Sequence, residues 1–412
     1  MRVSVIIPAW NLQELTAACL RSLAAHSADA DLDVLVVDNG STDTTPEVLP
    51  PLGRRLFGPR FQQLRLPDNL GFARACNAGA AAARGDLLFF LNNDTLCTPG
   101  WLPPLLEAFA DSRVGAAGPR LLYPDGRLQH CGIAFSPFFD VGHLYEFFPG
   151  DHPAVARHRP LQAITGAALM LPARLFQEAG GFHEGYLNGY EDMDLCLALT
   201  AAGHRLALAP ASRIIHHTSA TPGRFVHDTA NGRLLMRRQG GRLRPDLHML
   251  GRLDGYGMRV GADLSCWLEL PEEAARNLAA ATEGSGSDGV AEALEREPLW
   301  RAGWLRLMTL REAEGHPREA LAAGMRGLRF FPAPELAARM QRLVSRHAVL
   351  AELAPTATAI AADVTAPADA ATHAANRARL EAARRAAATR GDAALAELLA
   401  DALTATDTRE RA

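Results

Sequence analysis

The chain has 412 residues, of which 48% are hydrophobic and 21% are charged, and its formal net charge is −4 at pH 7. This composition is typical of a globular protein, and the negative charge argues against a general nucleic-acid binder. All 42 basic residues are arginines, which excludes chemistry that needs a lysine nucleophile or a Schiff base. The length predicts one sizeable catalytic domain with a smaller appendage.

The six cysteines are scattered along the chain without CxxC spacing. Neither a zinc site nor a disulfide framework is therefore predicted, and a reducing cytoplasm is the expected location. A peripheral position at the inner face of a membrane stays open. Residues 3–8 are too few for a signal peptide, and no apolar run is long enough to predict a transmembrane segment.

The first half of the sequence alternates short apolar runs with helical stretches. This alternation predicts an α/β fold with a mostly parallel sheet covered by helices. The predicted strand and helix pairs are 3–8 with 12–25, 33–37 with 46–56, 61–66 with 72–83, and 87–91 with 99–110. Polar residues follow each of the four strands, at the sheet edge where such folds bind ligands.

The pattern loosens into aromatic sequence between about residues 120 and 160, and then becomes regular again. A helix is predicted near 173–179, an apolar helical run at 195–202, and strands at 205–209 and 214–217. We predict a catalytic domain over 1–240.

The composition changes after residue 240. We predict a connector over 241–290, with a Gly/Ser-rich break at 283–289, and a helical domain over 291–412, with a further linker near 355–367. Trp304, Leu307, Gly315, Ala320 and Pro332 have offsets that resemble one tetratricopeptide helix pair. A plain helical bundle is the alternative.

Three carboxylates lie within four residues at Glu191, Asp192 and Asp194. Acidic residues in the first turn of a helix stabilise its dipole, which explains one or two of them. A crowded and partly desolvated carboxylate binds a proton more tightly, and this property suits a general base.

Other polar motifs lie at the predicted strand ends. Asp94, preceded by Asn92 and Asn93, follows a fully apolar strand and is placed to hold a divalent cation near a diphosphate. The histidine at position 216 would favour Mn²⁺ over Mg²⁺ if it joined Asp94. The helix start after Asn69 and Gly71, with Arg74 one turn inside, would bind an anion. The alternatives are an ordinary turn at residues 92–94, a structural histidine at position 216 and an unremarkable helix start after residue 69.

Read in order, these motifs resemble a family 2 inverting glycosyltransferase of the GT-A fold, in the branch of bacterial enzymes that add rhamnose or related sugars. The segments concerned are 4–11, 37–43, 69–73, 91–94, 165–167, 180–182 and 191–195, together with His216. The likeness covers roughly residues 1–220. It implies that the predicted catalytic domain has a nucleotide half at 1–95 and an acceptor half at 96–240. It implies that a sugar moves with inversion from a nucleoside diphosphate sugar to an acceptor hydroxyl, in surface glycan synthesis.

The resemblance also implies roles for individual residues. Asp192 stands at the general base, with Glu191 and Asp194 binding acceptor or supporting the base. Asp94 and His216 stand at the ligands of Mn²⁺ or Mg²⁺. The residues expected to contact the nucleotide sugar are Pro8, Ala9, Asn11, Asp38, Asn69, Gly71, Arg74, Asn92 and Asn93. The expected acceptor is a glycan, a lipid-linked molecule or a protein, and no nucleic acid is expected.

Two other functions are considered. A sugar-phosphate nucleotidylyltransferase would need a Gly-rich basic loop after the first strand and usually a lysine, which this chain lacks. A non-catalytic interaction protein would use the C-terminal helices to bind a protein partner. Intact acidic residues at positions 94 and 192 argue against an inert protein.

Overall fold

The computed structural model describes residues 1–218, 224–365 and 370–410, and positions 366 and 367 of the predicted linker lie outside them. The chain divides into two compact units. The N-terminal unit comprises residues 1–134 and 141–244, and the C-terminal unit comprises residues 135–140 and 245–412.

The N-terminal unit alternates strands and helices. Its elements are β1 (Val3–Ala9), α1 (Gln13–Ala25), β2 (Leu32–Asn39), α2 (Thr45–Phe57), β3 (Phe61–Leu66), α3 (Phe72–Ala82), β4 (Leu87–Leu91), β5 (Thr95–Cys97), α4 (Leu102–Ala108), β6 (Val114–Leu122), β7 (Leu128–His130), β8 (Ile133–Phe135), β9 (Val141–His143), β10 (Ala168–Pro172), α5 (Ala173–Glu178), α6 (Glu191–Ala201), β11 (Arg205–His216) and α7 (Asp228–Gln239). Short 3₁₀ helices lie at Gly58–Arg60, Pro153–Ala156 and Arg224–His227.

Nine of these strands form one sheet, in the order β3-β2-β1-β4-β10-β6-β11-β5, with β7 paired to β6. The first four strands are parallel, as predicted. Antiparallel pairs join β4 to β10, β10 to β6, β11 to β5 and β6 to β7, so the sheet is mixed where a mostly parallel one was predicted. The α/β fold class is confirmed, and the difference arises from strands after residue 94 that the alternation did not reveal.

The sheet register positions the polar strand ends. Ala9 of β1 lies opposite Asp38 of β2, and β1 also pairs with β4. The antiparallel pair of β11 and β5 places His216 opposite Thr95, directly beside Asp94. The strands predicted at 205–209 and 214–217 are one irregular strand, because β11 continues alongside β6 through a register shift.

The C-terminal unit is helical apart from one hairpin. Its elements are α8 (Leu247–Leu253), β12 (Gly257–Val260), β13 (Cys266–Glu269), α9 (Glu272–Ala281), α10 (Ser287–Arg296), α11 (Arg301–Ala313), α12 (Pro317–Gly327), α13 (Pro334–Arg346), a 3₁₀ helix (Ala348–Leu353), α14 (Ala354–Thr365), α15 (Ala370–Thr389) and α16 (Ala393–Glu410).

The linker predicted near 355–367 is wrong for residues 355–365, which belong to α14. Pro355 is the second residue of that helix, where a missing N–H costs no intrahelical hydrogen bond. Trp304 of α11 packs closely on Gly327 of α12, since a Cβ atom at that glycine would lie 2.9 Å from the indole.

The six cysteines carry no disulfide. Five of them are buried, and Cys266 of the C-terminal hairpin is half-buried.

Candidate active site

A cleft of about 170 Å³ opens beyond the carboxyl ends of β1 and β4 and the amino ends of α3 and α6. This position agrees with the ligand edge expected for such a sheet. The described residues that line it are Pro8, Ala9, Trp10, Asn39, Asn69, Phe72, Asn92, Asn93, Asp94, Thr165, Gly166, Ala167, Asn188, Gly189, Glu191 and Asp192.

Asp94 lines the cleft, and His216, which is outside the lining, lies directly against it. Both side chains are buried, and His216 Nε2 lies 3.0 Å from Asp94 Oδ1. The backbone supports the pair, because His217 N–H donates to the carbonyl of Asp94. On its other side, His216 Nδ1 lies 2.6 Å from Oε1 of Gln129.

The chemistry of this pair fits a divalent cation. An amide oxygen only accepts hydrogen bonds, so Nδ1 carries the imidazole proton and Nε2 presents a lone pair. A lone pair and a carboxylate oxygen then face each other at 3.0 Å. Two neighbouring ligands of an octahedral cation at about 2.1 Å are separated by about 3 Å, which matches this spacing.

The protein offers few ligands at this point. Within the described ranges no group of three or more His, Cys, Asp or Glu side chains is placed to hold a metal ion. A cation held by Asp94 and His216 would leave most of its shell to substrate oxygens and water, as is usual for Mg²⁺ sites that bind phosphates.

Asp192, the second residue of α6, lines the other side of the cleft. Its Oδ2 accepts a hydrogen bond from Gly166 N–H at 2.7 Å, and its Oδ1 accepts one from Met193 N–H at 2.8 Å. These two backbone donors fix the orientation of the carboxylate. The close approach favours a glycine, since a Cβ atom at position 166 would lie 3.2 Å from Asp192 Cβ and would require a small shift.

A turn of unusual backbone conformation leads into α6. Asn188, Gly189 and Tyr190 all have positive φ, at 54°, 149° and 77°. Glu191 is buried and accepts a hydrogen bond from Gly189 N–H at 2.8 Å. The Glu191 carboxylate therefore stabilises the turn, and Glu191 also lines the cleft.

Asp194, the third acid of the cluster, lies outside the cleft lining and binds α7. Arg238 Nε and Nη2 contact its two oxygens at 3.1 Å each, and Gln239 Nε2 donates to Oδ1 at 2.9 Å. Burial and the negative charge of Asp194 also raise the pKa of Tyr186 nearby. Asp194 thus fixes helix α6, which also carries Asp192, to helix α7.

Asp38 and Asn11 organise the loop after β2. Asp38 is fully buried, where it accepts hydrogen bonds from Ser41 N–H at 2.9 Å and Arg65 Nη1 at 2.6 Å. Asn11 Oδ1 accepts from Thr42 N–H at 2.8 Å. Both residues lie outside the set that lines the cleft, so their contact with a nucleoside stays a prediction.

The start of α3 is capped from two directions. Asn69 Oδ1 accepts from Gly71 N–H at 3.1 Å, and Asn188 Oδ1 accepts from Phe72 N–H at 3.1 Å. Side-chain oxygens thus accept from the backbone N–H groups of Gly71 and Phe72, which the sequence analysis had expected to bind an anion. Arg74 points to Glu184, with which it forms an exposed ion pair at 3.2 Å, outside the cleft lining.

The two asparagines before Asp94 face different neighbours. Asn92 Nδ2 lies 3.3 Å from His216 Nε2, while Asn93 Nδ2 donates to Thr16 Oγ1 at 2.9 Å. Both residues line the cleft together with Pro8 and Ala9.

Several residues that line or support the cleft were not among the predicted site residues. Trp10, Asn39 and Thr165–Ala167 stand inside motifs that drew attention, and so the sequence carried a signal for them. Gln129, Asn231 and Arg238 carried none, because their roles depend on partners 44 or more residues away in the chain.

No helix in the described part of the chain combines the length and the apolar character needed to cross a bilayer.

Comparison with known proteins gives a consistent result. The model of glycosyl transferase family 2 matches residues 4–134. An N-acetylglucosaminyl-diphospho-decaprenol L-rhamnosyltransferase of Mycobacterium tuberculosis is 30% identical over 229 residues, which cover 50% of this chain and 73% of the relative. The O-antigen biosynthesis protein RfbC of Myxococcus xanthus is 32% identical over 226 residues.

The chain spans only part of some curated relatives. Its match covers 18% of RfbC and 26% of the uncharacterized protein y4gI of Sinorhizobium fredii, which is 31% identical. Among solved structures, the mannosyltransferase PcManGT from Pyrobaculum calidifontis aligns with 88% of this chain and 86% of its own, at 20% identity and a TM-score of 0.42.

Proposed function

The chain belongs to glycosyl transferase family 2, and we propose that it moves a sugar from a nucleoside diphosphate sugar to an acceptor hydroxyl. The transfer inverts the anomeric carbon in a single displacement. One observation carries this proposal: Asp94 and Asp192 line the same cleft from different elements, a strand end and a helix start.

Asp192 acts as the general base in this proposal. An attacking hydroxyl must lose its proton as the bond to the anomeric carbon forms, and a positioned carboxylate accepts that proton. The backbone hydrogen bonds from Gly166 and Met193 fix the carboxylate before substrate binds. This preorganisation avoids reorientation of the base during the reaction.

Asp94 and His216 would hold a divalent cation, either Mn²⁺ or Mg²⁺. Such a cation, when bound, neutralises negative charge that develops on the departing diphosphate. Pro8, Ala9, Asn69, Asn92 and Asn93 line the same side of the cleft and would contact the donor. The imidazole–carboxylate spacing of 3.0 Å supports this assignment.

For the substrates, we propose L-rhamnose or a related sugar as the donor sugar, and a glycan, in the first instance a lipid-linked one, as the acceptor. The support is the naming of two relatives, one an O-antigen biosynthesis protein and the other a rhamnosyltransferase acting on a diphospho-decaprenol-linked sugar. The product would be a surface glycan.

The test compares Asp192→Asn with Asp94→Asn in a panel of nucleotide sugars and acceptors. Asp192→Asn should lower the turnover number by about 10²- to 10⁴-fold, because the amide cannot take the proton, and should leave donor affinity within about threefold. Asp94→Asn should weaken donor binding in the presence of Mn²⁺.

Circular dichroism of both variants serves as the folding control. A folded Asp192→Asn protein with wild-type turnover would remove Asp192 as the base. Equal donor affinity in Asp94→Asn and wild type, at all Mn²⁺ concentrations, would contradict the metal site.

A further inference from the structure

Gln129 contacts the imidazole of His216 at Nδ1, the ring nitrogen that does not face Asp94. It lies on β7, its side chain is buried, and its Oε1 is 2.6 Å from His216 Nδ1. None of the motifs of the family resemblance includes this residue. Its environment nevertheless leaves it one orientation.

The amide of Gln129 is fixed by its other end. Nε2 donates to the backbone carbonyl of His216 at 3.2 Å and also contacts Oγ1 of Thr218. The hydroxyl of Thr218 is itself directed at the His216 carbonyl, at 3.3 Å, so its oxygen accepts from Gln129. A flipped amide would turn Oε1 toward the His216 carbonyl oxygen, and both of these oxygens can only accept. The observed orientation instead gives that carbonyl a donor and directs Oε1 to His216 Nδ1.

This orientation determines the imidazole tautomer. Oε1 can only accept, so the ring proton resides on Nδ1 and the lone pair on Nε2 points toward Asp94. Asn92 Nδ2 lies 3.3 Å from Nε2 and, as a donor, agrees with an unprotonated nitrogen there. A histidine that binds a metal commonly has its second nitrogen fixed in this way.

We propose that Gln129 is a positioning residue that holds His216 in the Nδ1–H tautomer, with Nε2 ready to bind a divalent cation beside Asp94. The inference rests on the proposed function, because it assumes that the cleft binds such a cation. It goes beyond that function by naming the residue that makes His216 a metal ligand.

The experiment measures Mn²⁺ binding alone, without donor or acceptor. The full chain is freed of metal with a chelator, and free Mn²⁺ is followed by electron paramagnetic resonance during titration. Electron spin echo modulation then reports whether a histidine nitrogen is bonded to Mn²⁺. The proteins compared are wild type, Gln129→Leu, Gln129→Glu and the control Gln162→Leu.

Gln162 is a suitable control because it also hydrogen bonds through both ends of its amide, to the backbone of Arg244, away from His216. Gln129→Leu should weaken Mn²⁺ binding by about 10- to 100-fold and lose the nitrogen modulation. Gln129→Glu keeps an acceptor for Nδ1–H, so its affinity should stay within about threefold and its modulation should remain.

A folded Gln129→Leu protein that binds Mn²⁺ as wild type does, with the same nitrogen modulation, would overturn the inference and leave the proposed function intact. Wild-type protein that binds no Mn²⁺ would instead refute the metal site itself. If Gln129→Leu does not fold, Gln129→Glu decides, since loss of the nitrogen modulation in that variant contradicts the acceptor role.

Discussion

The two sides of the cleft are built by different means. The strand wall, residues 8–10 and 92–94, continues directly from the buried parallel strands β1 and β4. The helix wall, residues 188–192, begins with three consecutive residues of positive φ. Sheet register therefore sets the first wall, whereas side chains of the distant helix α7 hold the second.

The difference concerns where the stabilising contacts come from. Asn231 of α7 accepts from Leu187 N–H at 3.2 Å and donates to Leu187 carbonyl at 3.0 Å, just before the turn. Arg238 of the same helix binds Asp194, just after it. Asp192, the proposed general base, thus lies on a segment held at both ends by one helix, while Asp94 and His216, the proposed metal ligands, lie at strand ends of the sheet.

Among these changes, loss of the Arg238 contact should destabilise the helix wall most. In Arg238→Met, the buried carboxylate of Asp194 keeps Gln239 but loses its cation, which should cost about 2–4 kcal/mol in free energy of unfolding. Chemical denaturation measures this loss. Transfer should also slow, because α6 carries Asp192.

The matched control is Arg238→Met combined with Asp194→Asn, which removes the buried charge and should recover part of the stability. A single variant within about 0.5 kcal/mol of wild type would show that the helix wall does not depend on this ion pair.

A pair of asparagine variants should separate the walls functionally. Asn231→Ala removes both hydrogen bonds to Leu187, so we expect a loss of about 1–3 kcal/mol in stability and a several-fold rise in acceptor KM. Asn93 lies on the strand wall. Asn93→Ala removes its hydrogen bond to Thr16 of α1, and should raise the donor KM instead of the acceptor KM. Steady-state kinetics with each substrate varied in turn makes the measurement, and the same KM changing in both variants would contradict the division.

The smallest effect is expected at Arg74, which lies beside the cleft in an exposed pair with Glu184. Exposed ion pairs contribute about 0–1 kcal/mol. Arg74→Gln should therefore shift donor KM by less than about threefold. A tenfold rise in donor KM would show that Arg74 contacts the donor, as the sequence analysis had predicted.

The strand wall was largely predictable from sequence, and the helix wall was not. An apolar run such as Leu87–Leu91 followed by a polar residue is a local signal, so the four parallel strands and Asp94 could be located. The acidic cluster at 191–194 was also visible. What holds this segment was not, because Arg238 lies 44 residues after its partner Asp194, Asn231 lies 44 residues after its partner Leu187, and neither has a motif of its own.

The position of His216 shows the same limit. Its register beside Asp94 depends on β5, a strand of three residues that pairs with a segment more than a hundred residues later. Such a short strand has no periodicity that a sequence pattern can reveal. Gln129 lies in an equally short strand, and only the tertiary structure identifies its partner.

The cysteines described above have a practical consequence for labelling. The thiolate is the form that reacts with maleimides, yet five thiols are buried, and burial raises the pKa of the sixth, Cys266, to about 12. A cysteine introduced at Leu187, whose side chain is 47% exposed, would be the only fast-reacting thiol. A spectroscopic probe could therefore report movement of the cleft rim in a chain that keeps all its native cysteines.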